Sequence, residues 1–127
     1  MRESKFRVWD ENAQEMVYEV GLTPEGIPYS IPDHAEASDQ FDYYPSCHKM
    51  QFTGLKDKNG DEIYEGDIVR GSLRLHDDVD PIIREVCMQN GCYMFEVWNA
   101  HEYFNKHQHI KVIGNIFQNP DLLEEAR

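Results

Sequence analysis

Cysteine is scarce in this sequence: three of its 127 residues are cysteine, an odd number. A small secreted domain that is held together by disulfides needs an even and usually larger number of cysteines. Three thiols therefore indicate a reducing compartment. Long apolar runs are also missing, and the N-terminus lacks the pattern of a secretory signal peptide. We therefore expect a cytoplasmic protein that has no membrane partner.

Basic residues are outnumbered, with 12 Lys and Arg against 24 Asp and Glu and a net charge of −12. A general nucleic-acid binder needs a basic face that releases counterions from phosphates, so we do not expect nucleic acid as a partner. Solubility is the plainer explanation of the excess of carboxylates. A sharper explanation is mimicry, in which an acidic surface occupies the DNA-binding site of another protein.

Three parts of the chain differ in pattern. Residues 1–20 alternate in polarity around Asp10-Glu11-Asn12, which predicts an N-terminal β-hairpin. Residues 21–47 are rich in proline and acidic side chains, which favours a linker, although its aromatic residues predict that part of it lies against a surface. Residues 48–127 have the pattern of a mainly β core, ending in a short helix with Asn119 as its N-cap and Pro120 at its first position.

The predicted fold class is α+β and mainly β. We expect a small bent sheet or an SH3-like barrel core, with the N-terminal hairpin and the short C-terminal helix added to it; the barrel rests on fold analogy alone. The strongest turn signal is Asn90-Gly91, which predicts pairing of Gln89 with Cys92 and of Cys87 with Met94. The more apolar face of that hairpin should point at the core, and it carries Ile82, Val86, Met88, Tyr93, Phe95 and Val97.

The stretch from Phe52 to Arg70 holds a second reversal at Lys58-Asn59-Gly60-Asp61. We expect a primed hairpin turn there, with positive φ at Asn59 and Gly60. The alternation of Asp57, Asn59 and Asp61 briefly resembles a calcium loop. Such a loop needs glycine at its sixth position and glutamate at its twelfth, where this chain has Glu62 and Ile68, so we interpret the stretch as a turn.

The same stretch carries a family resemblance. Thr53–Gly60 (TGLKDKNG) and Glu62–Val69 (EIYEGDIV) resemble the signature of the YopX family, small proteins of bacteriophages and prophages. Phe6–Asp10 and Val112–Pro120 match the family's pattern as well. The resemblance implies a phage or prophage origin and residence in a bacterial cytoplasm. It brings no established activity, substrate or catalytic residue.

No motif supplies a metal site, a cofactor site or a catalytic residue. Structural zinc sites bring their ligands in closely spaced pairs, and only Cys87 and Cys92 have such a spacing. Cys47 and His48 are adjacent, so on a strand they would point to opposite faces and would not form a nucleophile pair. The remaining side chains that could bind zinc provide no second well-spaced pair: Cys47, His48, His101, His107 and His109. We therefore predict no metal, no cofactor and no enzymatic activity.

The leading hypothesis is a non-enzymatic accessory protein that binds a host or phage protein and associates with copies of itself. The proposed interaction surface combines an aromatic segment and an acidic loop: Phe41, Tyr43, Tyr44, Asp77, Asp78 and Asp80. A nucleic-acid-associated module is the runner-up, favoured if Arg70, Arg74 and Arg84 form a basic patch. A small metal-binding protein or enzyme is the third alternative.

Overall fold

The structure is a computed structural model that describes residues 5–45, 47–75 and 80–126. The chain divides into two compact units, Met1–Phe52 and Thr53–Arg127. Its strands are antiparallel and form two sheets, so the α+β, mainly β class is confirmed. Both sheets are open in the parts of the chain that the structure describes, and the described strands close no barrel. The three-part division by sequence stays a prediction.

The first unit holds five strands in the order β4-β3-β2-β1-β5. They are β1 (Phe6–Asp10), β2 (Glu15–Leu22), β3 (Pro28–Ser30), β4 (Asp42–Tyr43) and β5 (Cys47–Lys56), which runs on past the end of the unit. The β1–β2 pairing confirms the N-terminal hairpin, and β5 pairs with the other edge of β1. Trp9 therefore lies opposite Met16 on one side and His48 on the other.

The proline-rich segment 21–47 is more regular than its sequence indicates. It contains β3, a short 3₁₀ turn at Ser38–Gln40, and β4. Tyr29 of β3 lies opposite both Gly21 and Tyr43. A Cβ at Gly21 would stand 2.6 Å from the Tyr29 ring, so the glycine gives that ring its space. Strands of two or three residues are too short to show a period of two, which is why the pattern does not predict them.

The second unit begins within β5, where the Thr53 hydroxyl donates to the carbonyl of Ile63 at 2.7 Å and joins β5 to β6 (Glu62–Tyr64). Its other sheet has the order β10-β9-β8-β7-β11. These strands are β7 (Asp67–Leu73), β8 (Ile82–Gln89), β9 (Cys92–Phe95), β10 (Trp98–Asn99) and β11 (His107–Asn115). The helices are α1 (Ala100–Lys106) and α2 (Asp121–Ala126). The buried core comprises Ile63, Val69, Val86, Phe95, Tyr103 and Ile110.

The β8–β9 hairpin has the predicted turn and register. Asn90 and Gly91 both have positive φ, +52° and +80°, as a primed turn requires. Gln89 pairs with Cys92 and Cys87 with Met94, which confirms the predicted pairing. Val97 was expected on the core face, yet it is 81% exposed. That expectation is wrong because β9 ends at Phe95 and the chain turns away at Glu96, whose φ is +59°.

The central turn is built on the side chain of Asp57. One carboxylate oxygen accepts from the N–H groups of Asn59 and Asp61, at 2.9 and 3.0 Å. The other oxygen accepts from the N–H of Val112 at 2.9 Å, which ties the turn to β11. Gly60 has a φ of +85°, but Asn59 is not in the left-handed region, so the primed turn predicted here is wrong. A carboxylate that satisfies two turn amides makes a left-handed Asn59 unnecessary.

Candidate functional site

A cleft of about 350 Å³ opens on the first unit. We call it the tyrosine cleft, and its lining residues are Asp10, Asn12, Glu15, Asp42, Tyr43, Tyr44 and Pro45. They come from the tip of the β1–β2 hairpin and from β4 with the two residues after it. β4 stands at the end of the strand order, so one of its edges faces no other strand in the described part of the chain.

The tyrosines of the cleft are held by contacts with β3. The Tyr44 hydroxyl is hydrogen-bonded to the Ser30 hydroxyl at 2.8 Å, and the Tyr44 N–H donates to the carbonyl of Pro28 at 2.9 Å. Tyr43 lies opposite Tyr29 and is 45% exposed. A tyrosine fixed in place with much of its ring in water has little conformational entropy to lose when a partner covers it.

The carboxylates of the cleft follow from the hairpin register. Asp10 and Glu15 are directly opposite each other at the ends of β1 and β2. Asp10 also accepts a hydrogen bond from the N–H of Asn12 at 3.1 Å, which shapes the turn. Asp42 adds a third carboxylate from β4. Three carboxylates in one cleft create a negative potential that favours cationic groups.

Cys47 lies opposite Asp10 at the start of β5. Burial raises the pKa of its thiol; Lys49 opposes that rise and Asp10 adds to it. The thiol donates to the carbonyl of Tyr44 at 3.0 Å. This hydrogen bond ties Cys47 to the backbone of a tyrosine that lines the cleft.

The predicted interaction residues are only partly brought together. Tyr43 and Tyr44 line the cleft, whereas Phe41 stacks on Tyr29 with 5.5 Å between the ring centroids. Asp80 is exposed just before β8. Asp77 and Asp78 lie outside the described residues. Asp10 and Glu15 were not among the predicted site residues. The predicted hairpin contained a signal for them, because the residues that flank its turn must face each other.

The basic patch considered for nucleic acid is not assembled from all three arginines. The Arg84 side chain is 13% exposed, and its guanidinium lies 3.5 Å from the Glu96 carboxylate. Arg74 donates from its guanidinium to the carbonyl of Phe104 at 3.2 Å, while Arg70 is exposed. A guanidinium that is buried and paired contributes little to counterion release, so Arg84 does not belong to such a surface.

A second opening, of about 250 Å³, lies in the second unit. This apolar groove is lined by Leu73, Arg74, Leu75, Trp98, Asn105 and Lys106. Leu75 is 85% exposed, and the Trp98 ring meets the buried His107 ring edge to face at 5.3 Å. Exposed apolar surface next to a fixed tryptophan is typical of protein contacts.

The core of the second unit contains titratable groups that have been taken out of water. His107 is fully buried, its Nδ1 donates to the carbonyl of Tyr103 at 2.9 Å, and its Nε2 has no hydrogen-bond partner within the described residues. Burial is the main cause that lowers the pKa of His107. Burial also raises the pKa of Tyr103 to about 12. Both side chains are therefore neutral at pH 7, and they belong to the packing of the core, where their rings stack at 4.2 Å.

In residues 5–45, 47–75 and 80–126, no three side chains of His, Cys, Asp or Glu are grouped so that they could hold a metal ion. In the same ranges, no helix has the length and apolar character needed to cross a membrane.

Comparison with known proteins identifies relatives over nearly the whole chain. A family model described as YopX protein matches residues 5–124. The crystal structure of protein EF1440 from Enterococcus faecalis is similar, with a TM-score of 0.65 and 28% identity over 97% of this chain and 99% of that one. The crystal structure of protein yopX from Bacillus subtilis has a TM-score of 0.62 and 20% identity, over 93% of this chain and 96% of that one. At this identity the similarity shows a shared fold. None of the curated proteins matches the chain.

Proposed function

Because the chain belongs to the YopX protein family, we propose that it is an accessory protein of a phage or prophage that acts by binding another protein. It works in the bacterial cytoplasm, without enzymatic activity of its own and without a cofactor. The phage origin and the compartment rest on the family resemblance. The binding role rests on the surface chemistry of the first unit.

The single observation that carries the proposal is the tyrosine cleft. Tyrosine is enriched in protein interfaces because one side chain offers a large apolar area together with a hydroxyl group. Tyr43 packs beside Tyr29 and is 45% exposed. It stands on β4, which ends the strand order among the described residues, a position where a strand can be added. An open cleft with a mostly polar lining suits a segment of protein chain better than a small apolar ligand.

The charge of the cleft defines the kind of partner. Asp10, Glu15 and Asp42 favour a segment that carries Lys or Arg next to residues able to pack on Tyr43. The same carboxylates repel phosphates, as does the net charge of −12. The acidic residues of the loop, Asp77, Asp78 and Asp80, remain a proposed part of the interaction surface on their sequence alone.

The test is a tagged pull-down from nuclease-treated bacterial lysate, with bound proteins quantified by mass spectrometry. We expect one saturable partner whose recovery falls at least about tenfold with Tyr43→Ser, since loss of a central aromatic contact costs about 2 kcal/mol or more. Asp42→Asn should weaken the same binding mainly at low salt, because its charge acts at long range.

Matched controls come from the same unit. Ile31 is 60% exposed and lies outside the cleft, so Ile31→Ser removes apolar surface without touching the proposed site. Glu25→Gln removes one exposed charge outside the cleft. Equal losses with the controls, or a partner that disappears only after nuclease treatment, would contradict the proposal.

The acidic loop has a test of its own. If the triple variant Asp77→Ser, Asp78→Ser and Asp80→Ser leaves all binding intact, the acidic loop is not part of the surface.

Self-association stays a prediction of the sequence. Native mass spectrometry at micromolar concentration measures it directly, and a monomer at every concentration would contradict it.

A further inference from the structure

The outward face of the β8–β9 hairpin carries three sulfur atoms. Cys87 is directly opposite Met94, and Gln89 is directly opposite Cys92. Residues two apart on a strand share a face, and so do directly opposite residues, so Cys87, Cys92 and Met94 lie on the same side of the hairpin. The other side carries Val86 and Phe95, which are fully buried in the core. The three sulfur side chains therefore lie on the face turned away from the core.

The register brings these side chains within reach of one metal ion. Directly opposite residues, such as Cys87 and Met94, have Cβ atoms about 4.5–5.5 Å apart. Diagonal neighbours, such as Cys87 and Cys92, have Cα atoms about 7–8 Å apart. The diagonal exceeds the Cα separation of up to about 6.8 Å that an unstrained disulfide allows. A metal ion bound by both thiolates can bridge this separation, because each metal–sulfur bond adds about 2.3 Å between the two side chains.

The chemistry of the donors selects the ion. Thiolate and thioether ligands together are the set that soft cations such as Cu(I) prefer. Structural zinc requires four nitrogen or sulfur ligands, and no group of three His, Cys, Asp or Glu able to hold a metal occurs among the described residues. Met94 favours Cu(I) over zinc, since a thioether is a usual ligand for Cu(I) and a poor one for zinc.

The surroundings of the sulfurs favour a cation. Glu85 and Glu96 are joined across the hairpin, where the Glu96 N–H donates to the carbonyl of Glu85 at 3.1 Å. Both line an open depression of about 700 Å³ together with Cys87 and Met94. Burial raises the pKa of the Cys87 thiol, and the carboxylates of Glu85, Glu65 and Glu96 raise it further. Glu85 adds negative charge beside the sulfur atoms, which favours a cation.

We propose that Cys87, Cys92 and Met94 form a binding site for one soft monovalent cation of the Cu(I) class. Each thiol loses a proton when it ligates the ion, and Met94 adds its neutral thioether. The proposal is independent of the tyrosine cleft, which lies in the first unit, and it assigns no catalytic role to the ion.

The test is anaerobic titration of the reduced full-length chain with Cu(I), supplied as its acetonitrile complex, in competition with bicinchoninate. We expect one equivalent to be bound, with a thiolate-to-copper absorption band in the near ultraviolet. Cys87→Ser, Cys92→Ser and Met94→Leu should each weaken the affinity by at least about tenfold, the least that loss of a supporting residue costs a metal site. Circular dichroism checks that each variant is folded, and Cys87→Ala serves as a second variant at that position.

Two controls remove sulfur from elsewhere. Met88→Leu changes a methionine that is 40% exposed on the opposite face of the same strand. Cys47→Ser changes the cysteine of the first unit. Both should bind Cu(I) like the unaltered chain. The proposal is overturned if the unaltered chain does not compete with bicinchoninate or if a control loses as much affinity as the ligand variants. It is also overturned if Met94→Leu binds as tightly as the unaltered chain.

Discussion

Replacing Asp57 by alanine should destabilise the second unit more than any other change in the central turn. The substitution removes the acceptors of three backbone N–H groups, those of Asn59, Asp61 and Val112. A hydrogen bond to a charged group contributes about 1.5–3 kcal/mol, and the two bonds within the turn can be replaced partly by water, so we expect a loss of about 3–5 kcal/mol in the free energy of unfolding. Asp57→Asn should cost less, about 1–3 kcal/mol, because one oxygen remains and one N–H is left facing an amide NH₂ group.

The assay is urea denaturation followed by tryptophan fluorescence, with hydrogen exchange of the Val112 amide as a local measurement. Asp61→Ala is the matched control, since Asp61 has the same charge and an exposed side chain in the same turn. For Asp57, burial on its own raises the pKa, but the backbone donors outweigh it and the pKa is lowered. A lowered pKa means that the stabilisation is present above the unfolded pKa of 3.8 and is lost as the pH falls through the folded value. If Asp57→Ala and Asp61→Ala cost the same, or if Val112 stays protected in both, the reasoning is refuted.

Two further predictions concern the core of the second unit. Gly71→Ala should cost about 1–3 kcal/mol by overpacking, because its Cβ would lie 2.6 Å from the Tyr103 hydroxyl. Tyr103→Phe should restore most of that loss, and an additive double-mutant cycle in denaturation would contradict the contact. For His107, the lowered pKa predicts stability that is complete above the unfolded pKa of 6.5 and falls as the pH decreases through the folded value. His107→Phe should flatten that dependence in melts between about pH 5 and pH 7.5, and an unchanged slope would show that another group causes it.

Local sequence signals predicted the parts of the fold that depend on neighbouring residues. Asn90-Gly91 set both the turn and the register, because positive φ at two consecutive positions leaves few alternatives to a primed turn. The same logic did not hold at Asn59-Gly60. There the side chain of Asp57 satisfies the turn amides, and its second oxygen reaches a residue 55 positions away. No pattern in the sequence of the turn indicates that long-range bond.

The candidate site was predictable in its residue types and only partly in its position. The aromatic residues of 41–44 were expected at a surface, and Tyr43 and Tyr44 line the cleft. Phe41 stacks on Tyr29, a contact that depends on the pairing of β3 with β4 in a segment where the sequence predicted no strands. The apolar groove escaped prediction entirely, since Leu73 and Trp98 are 25 positions apart and meet only through the tertiary fold.

The most direct test of the binding role is site-specific photo-cross-linking in living bacteria. A benzophenone amino acid replaces Tyr43 in one version of the chain and Ile31 in another; both positions are well exposed, and only Tyr43 belongs to the cleft. The account predicts that irradiation gives one discrete protein adduct from position 43 and none of the same mass from position 31. No adduct from position 43, or the same adduct from both positions, would contradict it.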